Sequence, residues 1–212
     1  MPAGHIQADP FRGLVEAIVS GDSATANRLL ESSPQLARER AAQGATRQAP
    51  KQDFFDKIRH YMYEGDTALH MAAAAYQPLL VGRLIAGGAD VRARNRRGAE
   101  PLHYAVDGGP GLPTWNPRAQ SKIIALLICA GADPNAIDKS GVAPLHRAVR
   151  NRCASAVAAL IDGGADPTAT NKNGSTPMFL ATQNTGRGGS GLAEAKAQQQ
   201  EILRLLEQHG VA

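Results

Sequence analysis

The sequence predicts an all-α solenoid of about five stacked helix pairs joined by hairpin-like fingers, and three observations predict it. The phrase Gly-Ala-Asp occurs at Gly88-Ala89-Asp90, Gly131-Ala132-Asp133 and Gly164-Ala165-Asp166, each time after a Leu/Ile-rich stretch that reads as the end of a helix. Four glycines, Gly65, Gly98, Gly141 and Gly174, open matching phrases at spacings of 33, 43 and 33 residues. Hydrophobic residues make up 43% of the chain but aromatics only 4%, a composition that suits small interlocking helices better than a sheet core. Self-similarity at such a period marks units that bury their apolar faces only by stacking.

After the opening glycines stand Thr67-Ala68-Leu69-His70, Glu100-Pro101-Leu102-His103, Ala143-Pro144-Leu145-His146 and the more degenerate Thr176-Pro177-Met178-Phe179. This entry phrase, the 33-residue period and the Gly-Ala-Asp exit resemble the ankyrin repeat, closely over residues 65 to 210 and loosely over 11 to 40. The resemblance implies a concave face that binds protein partners. It also gives His70, His103 and His146 a structural role, bonding backbone and the motif threonine across neighbouring units, rather than a metal. Glu100 and Ala143 replace that threonine, so the hydroxyl part of the network is absent there.

One domain spans residues 1–212. Residues 11–40 read as a degenerate capping unit, with Leu14, Val15, Ala17 and Ile18 on its first helix and Ala24, Ala26, Leu29 and Leu30 on its second. Residues 41–64 extend the finger that follows. Three repeats occupy 65–97, 98–140 and 141–173. In the last of these, Pro144 presets helix entry, Leu145, Ala148 and Val149 form one apolar face, and Gly163-Gly164 stops the second helix. Residues 174–212 form the other cap, where Ile202, Leu203, Leu205 and Leu206 pack inward and a Gln/Glu-rich surface faces solvent.

Three insertions depart from the period. Residues 107–118 carry Trp115 amid prolines, and 184–197 carry a glycine-rich tract; both leave the same edge, between the two helices of their units. Residues 41–64 sit at the opposite edge and hold Phe54, Phe55, His60, Tyr61 and Tyr63. Loops of this length in a compact domain are often functional. The expectation is that the three close the open groove into a partial pocket.

Charge and composition narrow the function. The net charge is +4; residues 1–64 are balanced with eight basic and eight acidic side chains, whereas residues 65–212 hold fifteen and eleven. Placed on the ankyrin fold, Arg94, Arg96, Arg97, Lys139, Arg150, Lys172 and Arg187 form a positive stripe on the concave face, with Tyr63 and Trp115 as aromatic anchors. Arginine forks match carboxylate and phosphate, so the expected partner is a protein or peptide that is acidic or phosphorylated. Sparse aromatics, modest charge and the lack of a groove-reading motif argue against nucleic acid. No apolar run approaches the ~20 residues of a membrane span, so a cytoplasmic monomer is expected. Cys129 and Cys153 lack metal or redox spacing and read as packed thiols.

The rival reading is a small-molecule enzyme with hydrolase-like acid–base chemistry, in a pocket between the 41–64 finger and the 107–118 and 184–197 loops. Its candidate groups are Asp66, Asp107, Glu64 and His60, since paired carboxylates beside an imidazole can exchange protons when burial separates their pKa values. The sequence carries no Ser/His/Asp signature, zinc spacing or nucleotide fingerprint, so no metal and no cofactor is expected, and the weight falls on binding.

Overall fold

The computed structural model describes residues 9–49, 51–183 and 191–210. Among them, five helix pairs stack side by side: α1 (Pro10–Ser20) with α2 (Ser23–Ser32), α3 (Ala68–Ala74) with α4 (Pro78–Ala86), α5 (Pro101–Ala105) with α6 (Pro117–Cys129), α7 (Pro144–Arg150) with α8 (Ala154–Asp162), and α9 (Pro177–Thr182) with α10 (Ala193–Gln208). The first members pack on one another as an inner row, α1 on α3 on α5 on α7 on α9, and α4, α6, α8 and α10 form the outer row. Proline opens the first turn of α5, α7 and α9, where no amide is needed and its fixed φ suits the helix. Between the rows runs one continuous apolar core, from Leu14 and Ile18 through Leu69, Leu102 and Leu145 to Ile202 and Leu206.

The histidines bind the stack together. In each of three units the ring Nδ1 accepts the amide of the helix-entry residue: Thr67 to His70 at 3.1 Å, Glu100 to His103 at 3.1 Å and Ala143 to His146 at 3.3 Å. Nε2 then donates to the next finger, at Ala99, Val142 and Ala169. A ring used this way must be neutral, and burial lowers all three pKa values, that of His103 to about 4. The opening glycines fit closely as well. Gly65, Gly98 and Gly141 have φ of 83°, 74° and 69°, and a Cβ on each would stand 3.0 Å from backbone of the following finger, so both conformation and space require glycine.

Three expectations need correction. Gly163-Gly164 does end α8 at Asp162, but the left-handed turn falls on Gly164 alone, Gly163 keeping a φ of −84°. Cys129 is exposed, while Cys153 is buried and donates to the Gly108 carbonyl at 3.0 Å. The 41–64 finger does not keep to its own edge: a two-stranded hairpin, β1 (Phe54–Phe55) and β2 (His60–Tyr61), pairs Phe54 with Tyr61 and Phe55 with His60, and lies over the inner row. Arg12 on α1 meets Asp53 at 2.5 Å, Lys57 bonds the Ser20 carbonyl at the end of α1, and His60 reaches the end of α5.

Candidate functional site

Where the finger crosses the inner row it roofs a cleft of about 370 Å³. Arg59, Tyr61 and Tyr63 come from the finger, Arg97 and Ser140 from the two following fingers, and Arg147, Arg150 and Asn151 from α7 and its end. Along one wall runs a chain of alternating charge. Asp138 Oδ2 accepts from Arg147 Nη2 at 2.8 Å, Arg147 Nη1 donates to Asp107 Oδ2 at 3.1 Å, and the same oxygen lies 3.0 Å from His60 Nε2. The other ring nitrogen of His60 is 2.7 Å from the Tyr61 carbonyl. Both nitrogens therefore face acceptors, the geometry of an imidazolium.

The titration of these groups follows from that geometry. Burial alone would depress the imidazole, but hydrogen bond and charge from Asp107 outweigh it and raise the His60 pKa. Burial works against the Asp107 carboxylate too, yet Arg147 and His60 hold it below the ordinary range. Asp138 is lowered in the same way, chiefly by Arg147 once burial is overcome. The acids of the cleft are ionised and already neutralised by cations of the chain.

Beneath the cleft lies a second network. The Asp66 side chain is fully buried and accepts from the Tyr63 amide at 2.6 Å, the Asn95 amide group at 2.8 Å and the Tyr104 hydroxyl at 2.7 Å. Tyr104 in turn stacks against His60, ring centroids 4.3 Å apart. Burial, then the Asp66 charge, raises its pKa well above the usual phenol value. The floor of the site is thus a fixed hydrogen-bonded plate rather than a pair of proton-exchanging acids.

Of the expected site residues, the structure gathers Tyr63, Arg97, Arg150, His60 and Asp107 at this cleft. Others stand apart. Asp66 lies below the floor, and the N-cap of α3 is Thr67. Exposed Glu64 lines a separate hollow with Arg96. Arg94 is tied to the Gly98 carbonyl at 3.1 Å and to the Ile137 carbonyl, and Lys172 Nζ donates to the Lys139 carbonyl at 2.6 Å; Arg94, Lys139 and Lys172 join finger to finger. From the 107–118 loop only Asp107 reaches the cleft. Trp115 packs on the core with its indole NH 3.3 Å from Gln120 Oε1, because Asn151 and Cys153 anchor the start of that loop through the carbonyls of Val106 and Gly108. Arg187 and residues 184–190 of the 184–197 loop lie outside the described residues, and residues 193–197 form the first turn of α10.

Arg59, Tyr104, Asp138 and Arg147 were not expected here. A signal was present for two of them: the residue after the motif histidine position is Met71, Tyr104, Arg147 and Leu180 in successive units, so Tyr104 and Arg147 are polar departures at an inner-face position that is otherwise apolar. Asp138 occupies the finger turn where Asn95 and Asn171 accept the same pair of backbone amides, so its second role was masked by a periodic one.

This fold of paired helices, bridging histidines and glycine-turned fingers is that of a repeat protein. Residues 64–96 match the model of the ankyrin repeat, and residues 117–211 match the model of ankyrin repeats in three copies; the chain belongs to the ankyrin-repeat family. Those repeats mark it as a protein-interaction module. No curated protein matches the chain. Among the described residues no helix is long and apolar enough to cross a membrane, and no group of three or more His, Cys, Asp or Glu side chains is placed to hold a metal ion.

Proposed function

We propose that the chain, working as a monomer in the cytoplasm, captures an acidic segment of a protein partner in the cleft beneath its inserted finger. One observation carries this reading: of the cleft's carboxylates, Asp107 and Asp138, both are bound by Arg147, and neither pairs with Arg59 or Arg97, which line the same space. A partner carboxylate entering this space meets uncompensated positive charge over a rigid floor.

The same geometry weighs against the acid–base alternative. Both His60 nitrogens face acceptors of the chain, Asp107 and Asp138 are already bonded to Arg147, and Asp66 is covered. Groups bonded to one another in this way hold the finger and the units together.

A capped hexaglutamate peptide tests the reading by calorimetry. Binding to the intact chain weakens as salt rises, Arg97→Glu or Arg59→Glu weakens it about tenfold or more, and Arg94→Ala leaves it unchanged. Affinity indifferent to both salt and Arg97→Glu would overturn the assignment.

A further inference from the structure

A second hollow, of about 490 Å³, adjoins the cleft and shares Tyr61, Tyr63 and Arg97 with it. Its other walls include Thr46, Arg47 and Arg96, and no carboxylate lines it. Six arginines, Arg12, Arg40, Arg83, Arg92, Arg147 and Arg204, each pair with an acid; Arg47, Arg96 and Arg97 have no such partner among the described residues and meet at one hollow. Two of the three are nonetheless held in place. The Arg96 guanidinium bonds the Ala45 carbonyl and lies 5.5 Å from the centre of the Tyr63 ring. Arg97 lies 5.0 Å from the same ring and donates to the Tyr63 hydroxyl at 3.1 Å.

We propose that this hollow receives a phosphorylated side chain, presented by the segment whose acidic body occupies the adjoining cleft; only that placement of the rest of the segment depends on the function proposed above. A phosphate monoester carries close to two negative charges at neutral pH and three acceptor oxygens. The three arginines that line the hollow match that charge and that number of acceptors, while a glutamate or aspartate side chain offers one charge and satisfies one fork. Ordering Arg96 and Arg97 on Tyr63 in advance lowers the entropy lost on binding. The aromatic surface argues for a phosphopeptide over nucleic acid: two guanidinium groups already cover the Tyr63 ring, and Tyr61 is engaged with Phe54 at 4.6 Å between centroids, so neither ring serves as a platform for stacked bases.

Three capped peptides, Glu-Glu-X-Glu-Glu with X phosphoserine, aspartate or serine, are titrated into the full chain, and the side-chain Nε–H signals of Arg47, Arg96 and Arg97 are followed with free phosphoserine. The phosphopeptide is expected to bind about tenfold or more tighter than the aspartate peptide, and free phosphoserine to shift the three arginine signals. Arg47→Ala, at an exposed position, removes that preference and leaves the aspartate peptide unaffected; Arg59→Ala, which lines only the cleft, weakens all three peptides and preserves the preference. Equal affinity for the phosphoserine and aspartate peptides, or a preference that survives Arg47→Ala, overturns the phosphate subsite while leaving acidic capture standing. If no peptide binds, shifted arginine signals with phosphoserine still support the subsite, and unshifted ones sink it. An unmodified thymidine decamer that shifts these signals at lower concentration than the phosphopeptide assigns the hollow to nucleic acid instead.

Discussion

His60 Nε2 stands 3.0 Å from Asp107 Oδ2, and this bond joins the inserted finger to the end of α5, forty-seven residues along the chain. Because Asp107 also accepts from Arg147, whose other nitrogen holds Asp138, one charge chain ties together the finger, two successive units and the turn between them. The roof of the cleft is therefore fastened from its far side, and the fastening titrates.

The finger is expected to loosen above neutral pH. The His60 pKa is raised, so its contribution is complete below the ordinary histidine value and fades as pH climbs through the folded one; the lowered Asp107 contributes fully above the ordinary carboxylate value and fails only as pH drops through its own. The clasp is whole between those limits. Hydrogen exchange, corrected for intrinsic rates, should show the amides of Ala45 and Met62, bonded within the finger, losing protection between about pH 6 and pH 9 while α8 is unchanged. His60→Ala should abolish this dependence and cost roughly 1–3 kcal/mol; protection equal at both pH values in the intact chain would disprove the clasp.

Acid should act on the stack by the opposite sign. Burial lowers the pKa of His70, His103 and His146, so the folded state binds fewer protons than the unfolded one, and stability falls as pH drops below about 6.5. For His103 alone, moving to about 4, the loss is on the order of 3 kcal/mol by the time pH reaches the folded value. Urea midpoints at a series of pH values check this. His103→Gln, which cannot take up a proton, should flatten the curve even though it lowers stability at pH 7.

The repeats were legible because each periodic residue has a periodic cause: glycine where a finger turns against its neighbour, histidine where one unit hands a hydrogen bond to the next. The cleft was only half legible. Tyr63, His60, Asp107 and Arg97 stand out by composition or by lying in insertions, but which of many arginines converge depends on how the finger folds, and no local pattern states that its hairpin crosses the inner row. Arg94 and Lys172 look like surface charge in the sequence, yet reach backbone carbonyls of adjoining fingers. Trp115 was conspicuous for the right reason, since a tryptophan among prolines does pack; its partner is the core.

Asp66 holds the floor, so Asp66→Asn should weaken the whole N-terminal half. Its carboxylate accepts from Tyr63, Asn95 and Tyr104 without solvent, and an amide in its place turns one acceptor into a donor facing donors. A loss of about 2–4 kcal/mol is expected, with a coupling of about 1 kcal/mol or more to Tyr104→Phe in a double-mutant cycle. Additive effects would show that the two side chains act independently.

Trp115→Ala should lower stability and spare binding. The indole is partly buried against the core beside Gln120 and does not line the cleft. Truncating it should cost about 1–3 kcal/mol, a fall in melting temperature of several degrees for a chain of this size. Unchanged affinity for the hexaglutamate peptide is the second half of the test, and a tenfold loss would place the tryptophan at the ligand after all.

Arg94 and Arg97 lie in one finger and should separate cleanly. Arg94 ties two fingers through the Gly98 and Ile137 carbonyls, so Arg94→Ala removes hydrogen bonds that hold neighbouring units in register, with a cost of about 1 kcal/mol in stability and no effect on acidic peptides. Arg97 makes its side-chain bond to the Tyr63 hydroxyl at the rim of both hollows. Its replacement by alanine leaves an exposed phenol that water satisfies, so stability should shift by no more than about 0.5 kcal/mol while affinity for acidic peptides drops. Thermal melts and calorimetry on the two variants decide the matter, and the same profile in both would mean that the finger arginines form one undivided surface.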